Sequence, residues 1–505
     1  MLRLLPLLAT AAAVWPAPKS ISLSGASVKV QPGGAAFFKL NGTSPLLEAA
    51  FERYAGLVFP HRAAADGAAL ASLAVRVVDV AEGAPQLGDD ESYALSIGAT
   101  AATLEAATVW GALRGLETFS QLVSFDFDAG SYEAAAGAVE DAPRFPHRGL
   151  MIDTGRHFQP LASIFEVVDA LPYAKINVLH WHLVDAQSFP FESKSMPELW
   201  RGAFSPRERY TQADVADVVE RARLRGVRVI PEFDMPGHAD SWCVGRPDLC
   251  PSETCASPLD VSKAATFDAI SGLLDELAGG LFPDGFVHLG GDEVNTACWE
   301  STPSVAAWLK ARNLTADGGY AHFVKTVADL AIAKKRRPVQ WSEVWDHFKT
   351  DLPRDVVIHV WKSVTNVADV VAAGYDVIRN VGYDATSWYL DNLNVNSSAV
   401  YGNEPCDGIP ADLCAAHVLG GHGEMWGETV DASDIDGTVW PRLGAIAEKL
   451  WSPEAATIPT PADMLPRLAE FRCRLNARGV RAAPVYNAEA RSAPPGPGSC
   501  LKQRR

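Results

Sequence analysis

The sequence predicts an α/β protein in which a small α/β domain precedes a (β/α)8 barrel. Eight short apolar runs alternate with helical patterns over ~300 residues, which suits a barrel better than an open doubly wound sheet. Ahead of them, period-two runs flank one helix-spaced segment. Polar and aromatic residues recur just beyond most of the eight runs, where a barrel carries its chemistry. At 505 residues and 48% hydrophobic, the chain can bury more than one core.

Residues 1–13 combine an early Arg3, a Leu/Ala stretch and Ala11-Ala12-Ala13, the pattern of a cleaved secretory signal. Residues 14–143 form the expected small domain. Ala74–Val80 and Tyr93–Ile97 read as strands, and Val109–Val123 reads as a helix. An Ala-, Asp- and Pro-rich stretch, Ala134–Pro146, reads as the junction. Residues 144–505 form the barrel with C-terminal helices. Its strands are expected at Arg148–Asp153, Ile176–Val184, Val227–Phe233, Phe286–Leu289, Pro338–Trp341, Val356–Val360, Tyr375–Asn380 and Val418–Gly421. Helices are expected between them, as at Leu161–Leu171, Gln212–Arg225, Thr266–Leu277 and Tyr320–Lys334.

The charge of -17 argues against nucleic acid or an anionic membrane as partner. No run is long enough to span a bilayer, which needs ~20 apolar residues. The chain lacks both a Gly-x-Gly-x-x-Gly fingerprint and a phosphate-cradling loop, so no nucleotide cofactor is expected. His180, His182 and His238, with Asp185 and Asp234 nearby, match no zinc spacing, and no metal is expected. Gly-x-Ser-x-Gly is absent too. Eight cysteines and the sequons at Asn41, Asn313 and Asn396 fit an oxidising compartment.

Rim residues are expected at Asp153 and Arg156, His182 and Asp185, Asp234 and His238, Asp292 and Glu293, Trp341 and Glu343, Trp361, and Glu424 and Glu428. Neighbours along a strand face opposite ways, so Asp292 and Glu293 can share a ligand only where the backbone bends. Gly290 and Gly291 permit that bend. Mutual repulsion should raise one carboxyl, suiting it to protonate a leaving group. Taken alone, the run also fits a solvated acidic turn, a Ca²⁺ loop or a helix cap. His238 and Asp185 are expected to orient the acid by hydrogen bonds. Trp341, Trp361, Trp388 and Trp426 at strand ends suggest a stacking box for a pyranose, with Arg156 and carboxylates binding hydroxyls.

Ordered motifs then carry a resemblance across nearly the whole chain. They include Val109–Thr118, Asp153–His157, Asn177–Asp185, Pro236-Gly237-His238, His288–Val294, Trp388–Asp391 and Met425–Glu428. The chain resembles the β-N-acetylhexosaminidases of glycoside hydrolase family 20. The resemblance implies exo-acting, retaining release of a terminal N-acetylhexosamine from a glycan, with no cofactor. It makes Glu293 the general acid and base, Asp292 and Tyr389 the partners of the substrate's 2-acetamido group, and Asp185 with His238 a relay. Arg156, Glu428, Asp391 and His182 would contact the sugar, and Trp341, Trp361 and Trp426 would wall it. It also implies the pairs Cys255–Cys298 and Cys473–Cys500, leaving Cys243–Cys250 and Cys406–Cys414 as local pairs. A homodimer, and a lysosomal, vacuolar or extracellular destination, fit the same resemblance. Two positions depart from or refine the pattern. Ala186 stands where many relatives place a second acid, and Asp391-Asn392 offers no basic neighbour, which favours neutral substrates. An inactive glycan-binding relative would need a damaged acid pair, and a disaccharide-releasing enzyme would need a deeper pocket.

Overall fold

The computed structural model describes residues 14–63, 70–380, 387–456 and 461–485. Its N-terminal part is a sheet of seven strands: β1 Ser20–Val30, β2 Phe38–Leu40, β3 Leu73–Asp79, β4 Tyr93–Ile97, β5 Ala102–Thr108, β6 Val123–Asp126 and β7 Ser131–Asp141. The order is β1-β7-β4-β5-β3-β2, with β6 also pairing β7. The stretch read as a junction is therefore mostly strand. Its alanines have little strand propensity of their own, but β7 is hydrogen-bonded between β1 and β4, and that ladder decides.

The helix Val109–Leu122 is capped by the Thr108 hydroxyl, which accepts from the Gly111 amide. Every one of its residues is buried. A Cβ at Gly111 would lie 2.2 Å from the Ser92 carbonyl, so this helix can lie against the sheet only with glycine there. Its other side meets the barrel. The Arg114 guanidinium donates to the Gly226 carbonyl and to Glu91, and Gln121 donates to the Tyr173 carbonyl.

Eight strands close the barrel: β8 His147–Asp153, β9 Val178–Val184, β10 Arg228–Phe233, β11 Phe286–His288, β12 Arg337–Trp341, β13 Val357–Val360, β14 Val377–Arg379 and β15 Val418–Met425. All pairings within it are parallel. The expected strand positions hold, except that β15 runs four residues past its predicted end. Its run of glycines hides it from propensity, but β8 supplies partners as far as Met425. Glu424 consequently lies inside the barrel, fully buried, rather than on the rim. The crossover helices sit where the 3.6-residue spacing puts them; Gln212–Arg223, for instance, starts at a capping box between Thr211 and Asp214.

Inward-facing residues change character with height. Val178, Ile230, Phe286, Val339, Val357, Ile378 and Leu419 form an apolar floor. Two residues further along their strands come His180, Glu232, His288, Trp341 and His359, so the layer above the floor is polar and aromatic. Three disulfides lie among the described residues, Cys243–Cys250, Cys255–Cys298 and Cys406–Cys414. Cys500, the expected partner of Cys473, lies outside the described residues, as does the segment 1–13. No helix among the described residues is long and apolar enough to cross a membrane.

A buried ion triad joins the two parts. Glu91 accepts from Arg114 at 2.8 Å, from Arg148 of β8 at 2.7 Å and from Asn177 at 3.1 Å. Burial opposes its ionisation, but the two guanidinium charges prevail and hold its carboxyl below the usual range. Glu91→Ala strands two buried cations and should lower stability by roughly 3–5 kcal/mol, read as an earlier urea midpoint. A midpoint equal to the wild type's would show that the triad does not fasten the two parts together.

Candidate active site

Beyond the C-terminal ends of the barrel strands lies a cavity of about 310 Å³ lined by Arg156, His238, Asp292, Glu293, Trp341, Trp361, Tyr389, Asp391, Trp426, Glu428 and Thr429. Ten of these eleven residues were singled out from sequence, and Thr429 was not. Thr429 adjoins Glu428, and no pattern distinguishes its hydroxyl from an ordinary exposed one.

The acid pair owes its position to backbone shape. Gly290 and Gly291 have φ of 65° and 97°, and Glu293 itself has φ of 48°. A Cβ on Gly290 would lie 1.8 Å from an Asp234 oxygen, and the same oxygen accepts the Gly291 amide at 3.0 Å. The chain thus turns tightly over Asp234 and delivers both acids to one wall. The left-handed Glu293 is the strained kind of residue that concentrates at functional sites.

His238 stands behind both acids. Its Nε2 is 3.6 Å from Asp292 and 3.5 Å from Glu293, while its Nδ1 is 3.2 Å from Asp185. Burial alone would discharge the ring. The surrounding carboxylates, Asp292 foremost, outweigh burial and keep it an imidazolium. That cation has a cost for the sequence expectation. The half-exposed Glu293 carboxyl is held below its ordinary range, chiefly by its hydrogen bond with His238. The upward push falls on Asp234 instead, through burial and then the charge of Asp292. Asp292 is nearly buried, and its Oδ1 has no hydrogen-bond partner.

Asp185 and His182 lie beneath the lining. Asp185 accepts from His182 Nε2 at 2.8 Å and pairs with Arg156 at 2.9 Å; His182 Nδ1 bonds Glu232 at 2.7 Å. The expected sugar contact by His182 is therefore corrected. Both ring nitrogens are engaged, and Trp426 packs over the ring at 5.1 Å. Trp388 is corrected as well. It is fully buried against Gly421 and donates to the Val400 carbonyl, away from the cavity.

Two of the remaining tryptophans are fixed by their indole nitrogens. Trp341 donates to Glu232 at 2.8 Å and Trp361 to Glu343 at 2.8 Å. Arg156 lies 4.8 Å over Trp426. Also in the lining, Asp391 has a buried oxygen without a hydrogen-bond partner. Burial first, and then the neighbouring charge of Glu428, push Asp391 up to about 6.

The ordered motifs now have a shared geometry, and comparison with known proteins decides what it is. Residues 145–454 match the family described as "Glycosyl hydrolase family 20, catalytic domain", and residues 14–122 match "beta-acetyl hexosaminidase like". The chain belongs to glycosyl hydrolase family 20. Among family 20 relatives, it is 44% identical to beta-hexosaminidase 1 of Arabidopsis thaliana, over 97% of this chain and 94% of that protein. It is 37% identical to beta-hexosaminidase subunit beta of Mus musculus, over 94% and 92% of the two chains. The fold superposes on a chitobiase of Flavobacterium johnsoniae with a TM-score of 0.80 at 29% identity, covering 93% of this chain and 73% of that one. The family 20 β-N-acetylhexosaminidase of Streptomyces coelicolor gives 0.75 at 25% identity, covering 93% and 97%. This family 20 chain is a glycoside hydrolase.

Two outcomes test the site's geometry. Gly290→Ala should cut kcat/KM by about 100-fold or more, because the acid wall must shift by the order of 1 Å; unchanged kinetics would show that the turn tolerates a side chain. Asp391 charges only near pH 6 rather than the ~3.9 of an unfolded chain, so its ionisation opposes folding between those values. Asp391→Asn should therefore gain about 2 kcal/mol on the wild type between pH 4 and pH 7, measured as the difference in urea stability. A difference independent of pH would refute the shifted carboxyl.

Proposed function

We propose that the chain is an exo-acting, retaining β-N-acetylhexosaminidase that releases terminal N-acetylglucosamine or N-acetylgalactosamine with help from the substrate's own 2-acetamido group. The carrying observation is that Asp292 and Glu293 reach the same His238 nitrogen from one wall. Acids so placed cannot flank the anomeric carbon as the usual retaining pair does, ~5 Å apart on opposite faces. The nucleophile then comes from the substrate.

Glu293 protonates the glycosidic oxygen and afterwards deprotonates water. A sugar filling the cavity strips water from this half-exposed carboxyl and lifts it from its depressed starting point toward acid duty. Asp292 supplies its unengaged oxygen to the acetamido N–H, orienting the group and balancing the charge that grows on it. Tyr389 donates to the acetamido oxygen. Asp185 and His238 act as positioning residues behind the acids. Arg156, Asp391 and Glu428 bind hydroxyls between the walls of Trp341, Trp361 and Trp426.

The cavity volume suits one sugar rather than a disaccharide. The Arg442 cation beneath Asp391 donates to the carbonyls of Asn392, Val395 and Thr438, which supports a preference for neutral sugars. The exposed Asn41, Asn313 and Asn396 would carry glycans in the secretory pathway, ahead of a lysosomal, vacuolar or extracellular destination. A homodimer completes this reading.

Turnover of nitrophenyl N-acetyl-β-D-glucosaminide or galactosaminide tests the activity, and Glu293→Gln should lower kcat about 10²–10⁴-fold. Folded wild type that turns over neither would sink the reading. An acetamido-thiazoline analogue should inhibit competitively and far more tightly than free N-acetylglucosamine. Equal affinity for the two would exclude participation of the acetamido group.

A further inference from the structure

Just past the ends of β12 and β13, two segments beside the sugar cavity are tied to each other. The short helix Ser342–Phe348 begins directly after Trp341 and carries Glu343 and Asp346, three residues apart and so on one face. Residues 361–365 make a turn closed by the Thr365 amide, which donates to the Lys362 carbonyl at 3.2 Å. The Thr365 hydroxyl donates to Asp346 at 2.8 Å. At the other end of the turn, each oxygen of Glu343 takes a donor. One accepts from the Trp361 indole at 2.8 Å, and the other faces the Lys362 ammonium at 2.6 Å. The same ammonium lies over the Trp361 ring, 4.9 Å from its centre. Trp361 is held at its edge and over a face, and Lys362 takes part in both contacts.

Glu343 is a poor place for a lone charge. It is buried, and burial and then the charge of Asp292 push its carboxyl up, while hydrogen bonds from Lys362 and Trp361 act in the opposite sense. Without the ammonium the carboxyl would take up a proton. The indole would then lose a charge-assisted acceptor, which is about twice as strong as a neutral one. The cation over the ring would go in the same step. The hold on this wall of the cavity therefore depends on Lys362, which does not itself line the cavity.

We infer that the Lys362–Glu343 pair clamps Trp361 and so sets the width of the pocket for the substrate's N-acyl group, with Lys362 a positioning residue that excludes acyl groups longer than acetyl. The inference rests on the proposed function, which assigns the acetamido group to Asp292 and Tyr389. Trp361 adjoins both. Its ring lies 6.4 Å from that of Tyr389 between centres, and its anchor Glu343 is near enough to Asp292 to feel that charge. A ring so placed borders the acyl methyl. A close-packed wall registers one added methylene, whereas a ring free to rock yields to it. Lys362 is also a contributor, after His238, to the depressed Glu293 carboxyl. That effect is common to every substrate, so a ratio between two acyl groups isolates the clamp.

The test compares nitrophenyl β-glucosaminides carrying N-acetyl and N-propionyl groups, each turned over by the full chain. Wild type should favour acetyl by about 10–200-fold in kcat/KM, the usual worth of one methylene in a closed pocket. Lys362→Met should narrow that ratio about 10-fold, chiefly by losing turnover of the acetyl substrate, and Lys362→Arg should keep most of it. A Lys362→Met ratio equal to the wild type's overturns the clamp, as does an active wild type that accepts both groups alike. Should Lys362→Met fail to fold, Glu343→Gln keeps an oxygen for the indole but loses the charge, and it should narrow the ratio in the same sense. An unchanged ratio there overturns the clamp as well. Wild type inactive on both substrates overturns the proposed function, and the clamp with it.

Discussion

Glu232 is fully buried two residues above the apolar floor of the barrel, and each of its oxygens is committed. One accepts from the Trp341 indole; the other bonds His182 and faces His180 at 2.7 Å. Through Trp341 it fixes the floor of the sugar cavity. Through His182 it holds Asp185, which holds Arg156 and His238, which in turn stands against both acids. An unpaired carboxylate at such depth would be prohibitive. Its partners make it the point from which the rim is hung, and they explain why so much polar chemistry lies under a site that presents only a few polar groups.

The same chain of contacts partitions charge. Asp185 is held well below the carboxylate range: burial opposes this, and hydrogen bonds from His182 and His238 overcome it. An ionised Asp185 stabilises a charged His238, and a charged His238 keeps Glu293 ionised while the cavity is open to water. The adjacent acids therefore differ in solvation: Asp292 is nearly buried and Glu293 half-exposed. A sugar that displaces water strips it mainly from Glu293.

Most of the barrel was legible because seven of its strands are apolar runs of ordinary length, and because the rim residues follow their ends. The lining was legible for the same reason: Arg156, His238, Asp292 and Glu293 lie just past strands whose ends the sequence marks. What stayed hidden depended on partners distant in sequence. The alanines of β7 and the glycines of β15 become strand only when ladders form on either side. His182 looked like a rim residue because periodicity fixes which face a side chain takes, not how deep it lies. His359 and His422 gave no signal at all, since each is a lone histidine until the barrel closes. The raised carboxyl was expected in the acid pair and is found at Asp234, because the turn at Gly290 stacks that residue underneath.

The sealed floor bears on how the protein moves along a glycan. Trp341, the histidine layer and the apolar residues beneath leave no passage through the barrel, so a sugar can leave only by the mouth through which it came. A shortened chain blocks that mouth until it lets go. On the proposed exo-acting reading, each cleavage therefore ends with the shortened glycan leaving before the freed sugar can, so every turnover begins from a fresh encounter.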